Sequence, residues 1–146
     1  MCIRDRFTGC SNSETNSTSR GLTDFAHIEE EYLATIDSLN WPDGITLPDK
    51  LEDEDTGASF QVGYGETRAS YLWEYSWMKE WLDTYNTDPE RAEKALEELE
   101  KAFDMPYMGI DRCDDATRNY LRENIDKAKL GDPSGFTESI RANYAN

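Results

Sequence analysis

The stretch from about Glu66 to Tyr85 constrains this chain most. At about 100° per residue, Tyr71, Tyr75, Met78, Leu82 and Tyr85 fall within one sector of a helix. Trp73, Trp77 and Trp81 form a second stripe beside it, at i, i+4 and i+8. A helix apolar over so wide an arc packs on two sides, so the spacing predicts a central core helix. The tryptophans carry two readings. Exposed, Trp73, Trp77 and Trp81 would be ligand contacts, offering rigid faces to sugar rings or another aromatic ligand. Buried, they are core.

Other periodicities supply partners for that helix. Phe25, Ile28, Tyr32, Ile36 and Leu39 make one stripe that begins at Thr23 or Asp24 and ends before the turn Trp41-Pro42-Asp43-Gly44. Thr87-Asp88-Pro89-Glu90 reads as a Thr-x-x-Glu capping box with proline in the first turn. Ala92, Leu96, Leu99 and Phe103 then face the core, with Glu90–Lys94 and Glu97–Lys101 as outer pairs, until Pro106. Asp114 or Asp115 caps a fourth helix with Leu121, Ile125 and Ala128 inward, stopped at Gly131. Asp132-Pro133 opens a short last helix bearing Phe136, Ile140 and Tyr144.

Residues 41–64 break the pattern. Ile45 and Leu47, then Phe60, Val62 and Tyr64, alternate with polar residues around the acidic loop from Asp49 to Asp55. That alternation predicts a short β-hairpin within 45–64. The fold class is therefore mainly α: a small bundle of about five helices with an irregular acidic insert, one domain over residues 22–146.

The 146 residues suit one domain with one modest core. With 31 acidic and 15 basic residues the formal net charge is −16, which repels phosphate and excludes nucleic acid as a partner. No apolar run approaches the roughly 18 residues of a spanning helix.

The chain opens Met1-Cys2-Ile3-Arg4-Asp5-Arg6. This string looks like an in-frame translation of a transposon-end sequencing adapter, and residues 1–6 are set aside from the fold on that reading. Without Arg4, Arg6 and Asp5 the basic count falls from 15 to 13, the acidic count from 31 to 30, and the charge becomes −17. Phe7-Thr8-Gly9-Cys10 follows and resembles the end of a bacterial lipobox, with small residues before the cysteine that is lipidated. Phe7 departs from the usual leucine. Ser11 at the next position, rather than aspartate, favours sorting to an outer membrane where there is one. Residues 11–21 are a flexible polar tether, since Ser11 to Arg20 contains no apolar residue. The layout predicts a lipoprotein held at the extracytoplasmic side of the envelope, its membrane partner engaged through acyl chains on Cys10. High acidity keeps such a domain soluble and away from anionic lipid.

The span from Trp41 to Leu82 resembles small exported proteins of actinobacteria, on Trp41-Pro42-x-Gly44, Gly63-Tyr64-Gly65 and the aromatic helix. That resemblance implies no activity, substrate or catalytic residue.

Chemistry is sparse. The loop Glu52-Asp53-Glu54-Asp55 has oxygen ligands for Ca²⁺, but aligning Gly57 at the EF-hand glycine puts Gly63 where glutamate is needed. A solvated acidic loop is the expectation, with no metal and no cofactor. Glu74 and Glu80 flank the tryptophan stripe and are the first carboxylate pair to test for glycosidase-type work, against the simpler reading of helix-surface charges. His27 borders the first helical stripe and reads as a surface or capping residue. Cys113 has acidic neighbours that raise its pKa, and it reads as a small buried apolar side chain. No catalytic residue is assigned. The sequence points to a non-catalytic envelope lipoprotein that binds a protein or glycan. The alternatives are a carboxylate enzyme acting on envelope glycans and a cytosolic acidic interaction protein.

Overall fold

The computed structural model describes residues 21–52 and 56–144. The adapter-like hexapeptide, Cys10 with the lipobox-like residues before it, the polar tract through Arg20 and residues 53–55 lie outside the described residues. Five α-helices carry the described chain: α1 (Phe25–Ser38), α2 (Tyr64–Thr84), α3 (Pro89–Glu100), α4 (Asp115–Lys129) and α5 (Ser134–Asn143). The architecture is mainly α, as the periodicities predict. Two short 3-10 helices, Lys101–Asp104 and Pro106–Met108, join α3 to α4.

α2 is the axis. α1 and α3 pack along it, while α5 and the second 3-10 turn close on it from another side. Its buried residues cover about 220° of the helical wheel, centred on the tryptophan stripe. Trp73, Trp77 and Trp81 are each at most 3% exposed, covered by residues of α3, α4 and α5. Trp81 stacks on Tyr85 and meets Phe136 edge-on. The Trp77 indole donates to the Asn40 carbonyl at 3.0 Å. None of the three keeps a free face for a sugar ring, so their ligand-contact reading gives way to core packing. The tyrosines sit at the border instead: Tyr71 is 39% exposed, and Tyr75 and Tyr85 are half-buried.

A smaller cluster joins Ile28, Tyr32 and Ile36 of α1 to Leu51 and Ala69, and Trp41 touches both clusters. The Trp41 indole donates to the Ile36 carbonyl at 2.9 Å, which folds the Trp41-Pro42 turn back on the end of α1.

The hairpin expected within 45–64 does not form. β2 (Phe60–Gln61) instead pairs antiparallel with β1 (Leu22–Thr23), Leu22 opposite Gln61 and Thr23 opposite Phe60. The Phe60 ring packs against Phe25 and stacks on Tyr64, which draws this segment to the start of α1. Ile45 and Leu47 lie outside any strand.

The helix ends follow side-chain chemistry. Asp24 caps α1 and Asp114 caps α4, each accepting from a backbone N–H three residues on. Asp88 rather than Thr87 caps α3, accepting from the Arg91 N–H, so the cap lies one residue later than the capping box predicts. α2 starts at Tyr64, two residues before the predicted start, because α1 supplies its cap. The N–H groups of Gly63 and Gly65 donate to the Glu31 carboxylate at 3.0 and 3.2 Å. Gly63 has φ of 97°, and a Cβ on Gly65 would stand 2.1 Å from the Ile28 carbonyl oxygen. The motif Gly63-Tyr64-Gly65 is thus the close crossing of α1 and α2.

Candidate functional site

Among the described residues three glutamates are buried: Glu74 and Glu80 on α2, and Glu98 on α3. A buried carboxylate stays charged only with a cation or strong hydrogen bonds. Glu80 accepts a bidentate pair from Arg91, at 2.7 Å from Nε and 2.8 Å from Nη2. Glu98 accepts from Lys101 at 2.9 Å and pairs with Lys94 at 3.1 Å. Burial pushes the Glu98 carboxyl up, yet the hydrogen bonds from Lys101 and Lys94 outweigh it and hold it below the usual range. These lysines replace the expected outer pairs Glu90–Lys94 and Glu97–Lys101: both converge on Glu98.

Among the described residues Glu74 has no such cation. The Tyr107 hydroxyl donates to its Oε1 at 2.7 Å and the Tyr144 hydroxyl to its Oε2 at 3.3 Å. None of the ion pairs among the described residues involves it. Burial pushes its pKa up to about 6, with the two tyrosine hydrogen bonds pulling the other way. Both tyrosine hydroxyls are themselves pushed far above the phenol range, by burial first and then by the Glu74 charge, so they remain donors.

Glu74 lines a cleft of about 730 Å³ between α2, α4 and α5. That volume lies in the range of small-molecule sites. α2 adds Arg68, Tyr71 and Met78, the second 3-10 turn adds Met108, α4 adds Tyr120 and Leu121, and α5 leads into Tyr144. Tyr71 meets Tyr107 edge-on at 5.3 Å. Among the residues lining this cleft Glu74 is the single carboxylate and Arg68 the single cation. Arg68 is engaged elsewhere: Nη1 donates to the Tyr64 hydroxyl at 2.8 Å, Nη2 donates to the Glu52 carbonyl at 3.4 Å, and the guanidinium lies over the Tyr64 ring.

Glu74 and Glu80 are not the surface charges that helix spacing suggests, and they do not share one site. Six residues apart on a helix, they are separated by about 9 Å along the axis and about 120° around it. Glu80 lines a second, smaller cleft with Trp41, Trp77 and Arg91. His27 is exposed, its Nε2 3.2 Å from Glu31, which makes it a surface residue; it is not itself a cap, since its backbone N–H donates to the Asp24 side chain that caps α1. Cys113 is free and half-buried, its Sγ 3.7 Å from the Met108 sulfur. Burial first pushes its thiol up, Asp114 and Glu74 add to that, and Arg118 opposes. Among the described residues no group of three or more metal-ligating side chains occurs.

Sequence reading finds Glu74 but not its partners, since Tyr107 and Tyr144 lie 33 and 70 residues away. One signal was present for Glu74 itself. On the helical wheel it falls between Trp81 and Tyr85, inside the seam joining the two apolar stripes.

No protein-family model, curated protein or solved structure matches the chain. Among the described residues no helix is long and apolar enough to cross a membrane. Fold and cleft together define a small mainly α protein with one buried carboxylate held by tyrosines.

Proposed function

We propose that the chain is a lipid-anchored binding module of a cell envelope: Cys10 carries the lipid, residues 11–21 are the tether, and the ligand sits in the cleft over Glu74. The cleft carries the binding part of this reading. It is lined mostly by aromatic and apolar side chains with a few polar groups, Glu74 the one carboxylate among them, the usual make-up of a ligand site. Phe7-Thr8-Gly9-Cys10 and the polar tract after it support the anchored part. A net charge of −16 argues against nucleic acid as the partner.

Hydrolysis of envelope glycans is served less well. Glycosidases use two carboxyl groups about 5–10 Å apart across the scissile bond. Among the residues lining the cleft Glu74 stands alone.

The test takes the full gene in a bacterial host. Incorporation of labelled palmitate that globomycin blocks and Cys10→Ser abolishes supports the anchored reading; a soluble, unlabelled product overturns it. Ligand-induced amide shifts in the full chain, confined to Tyr71, Tyr120, Asn143 and their neighbours when envelope glycan and peptide fragments are titrated, support the cleft. Shifts centred elsewhere overturn it.

A further inference from the structure

Of the three glutamates buried among the described residues, two pair with cations of the chain and the third lines a cleft instead. Burial without a counter-ion is the costly arrangement, and proteins relieve it by pairing or by binding a cation. A metal ion suits this cleft poorly. Glu74 is the only carboxylate in its lining, and the oxygens of Thr117, Ser139 and Asn143 are neutral, where a hard divalent cation calls for several charged oxygen ligands. Tyr71 and Tyr120, each more than a third exposed, line its mouth, and Tyr144 and the buried Met78 and Met108 line it too. Aromatic faces around a carboxylate are the chemistry that holds an organic ammonium ion, through the ring quadrupoles and the opposite charge. Tyr107 and Tyr144 take one lone pair on each Glu74 oxygen, and an ionised carboxylate accepts about four hydrogen bonds, so acceptor capacity remains.

We infer that the cleft is a binding site for an organic ammonium ion, which supplies the counter-charge that Glu74 lacks, with Tyr71, Tyr120 and Tyr144 as its aromatic walls. This rests on the cleft being the ligand site. Arg68, the one cation lining the cleft, bonds to Tyr64 and Glu52 rather than to Glu74, which leaves Glu74 to the ligand's charge. The same ammonium chemistry occurs on free amines and on choline-type lipid headgroups, and a lipid-anchored domain meets both.

The test uses the full chain and a matched pair of probes. Choline and 3,3-dimethylbutan-1-ol have the same shape, and only choline is charged. Calorimetry at constant ionic strength is expected to show choline binding at least about tenfold more tightly than the neutral isostere. Glu74→Gln, equal in shape and uncharged, is expected to remove that preference. Tyr120→Leu, at the exposed mouth, is expected to weaken choline severalfold and to keep the fold whatever Glu74→Gln does. Competition by phosphatidylcholine vesicles supports a headgroup as the source; choline binding that vesicles leave unchanged supports a free amine. Equal binding of the isostere, in the cleft, overturns the ammonium inference and leaves the cleft as a binding site. Absence of binding by either probe up to roughly 50 mM, far above any useful affinity, overturns the inference and removes the cleft's support as a ligand site. Choline binding that Glu74→Gln and Tyr120→Leu both leave unchanged overturns it as well.

Discussion

Tyr107 and Glu74, 33 residues apart in the chain, meet at 2.7 Å in the interior, the hydroxyl of one donating to Oε1 of the other. The contact ties the turn after α3 to the middle of the central helix. It also fixes a carboxylate where neither Lys nor Arg pairs with it. Tyr107 is 1% exposed and Glu74 6%, so the Tyr107 hydroxyl and Oε1 of Glu74 both depend on the bond.

Tyr107→Phe removes that donor and leaves the carboxylate with Tyr144 alone. A buried acceptor deprived of its partner costs about 1–3 kcal/mol. The loss is expected to be larger at pH 7.5, where Glu74 is charged, than at pH 4.5. Urea unfolding at the two pH values measures it.

Glu74 itself works against stability at neutral pH. Its ordinary pKa is 4.5 and in the folded chain it is about 6. A raised folded pKa means the native state binds the proton more tightly. Its contribution is therefore most favourable below pH 4.5 and is lost as pH rises through 6. The shift corresponds to about 2 kcal/mol. Glu74→Gln is expected to be more stable than the parent by up to that amount above pH 7 and little changed at pH 4.5. Urea midpoints at pH 4.5, 6 and 7.5 read the difference.

Arg91→Ala strips Glu80 of both its hydrogen bonds and leaves a buried charge behind. The melting temperature is expected to fall, and Glu80→Gln added to Arg91→Ala is expected to recover part of the loss. A double-mutant cycle by thermal unfolding isolates the pair.

Gly65→Ala tests the α1–α2 crossing. The added Cβ meets the Ile28 carbonyl at 2.1 Å, backbone that cannot step aside without moving α1. Overpacking of this kind costs about 1–3 kcal/mol, and the urea midpoint is expected to drop accordingly.

The helices were legible because their signals are local. The Phe25–Leu39 stripe, Pro89, Asp114 and Gly131 each act within a turn of themselves. The short sheet was not legible, because Phe60 chooses its partner by packing on Phe25 and Tyr64 rather than by alternation. Nor was the capping of α2 by Glu31, or the gathering of Lys94 and Lys101 on Glu98, since both depend on which helix face turns inward. The candidate site was half legible: Glu74 lies in the apolar seam of its own helix, whereas Tyr107 and Tyr144 reach it only once the 3-10 turns and α5 have folded back. The tryptophans mislead in one respect, because the stripe best suited to stacking on a ligand is also the one best suited to fill the core.

The measurement that bears most directly on Glu74 as a buried carboxylate without a counter-ion is its own titration. Carbon-detected NMR of the Glu74 side-chain carboxyl in the free chain is expected to give a midpoint near the value of about 6 that burial sets. A midpoint at or below the ordinary 4.5 would mean that the carboxylate already has its cation or its water, and would contradict the assignment.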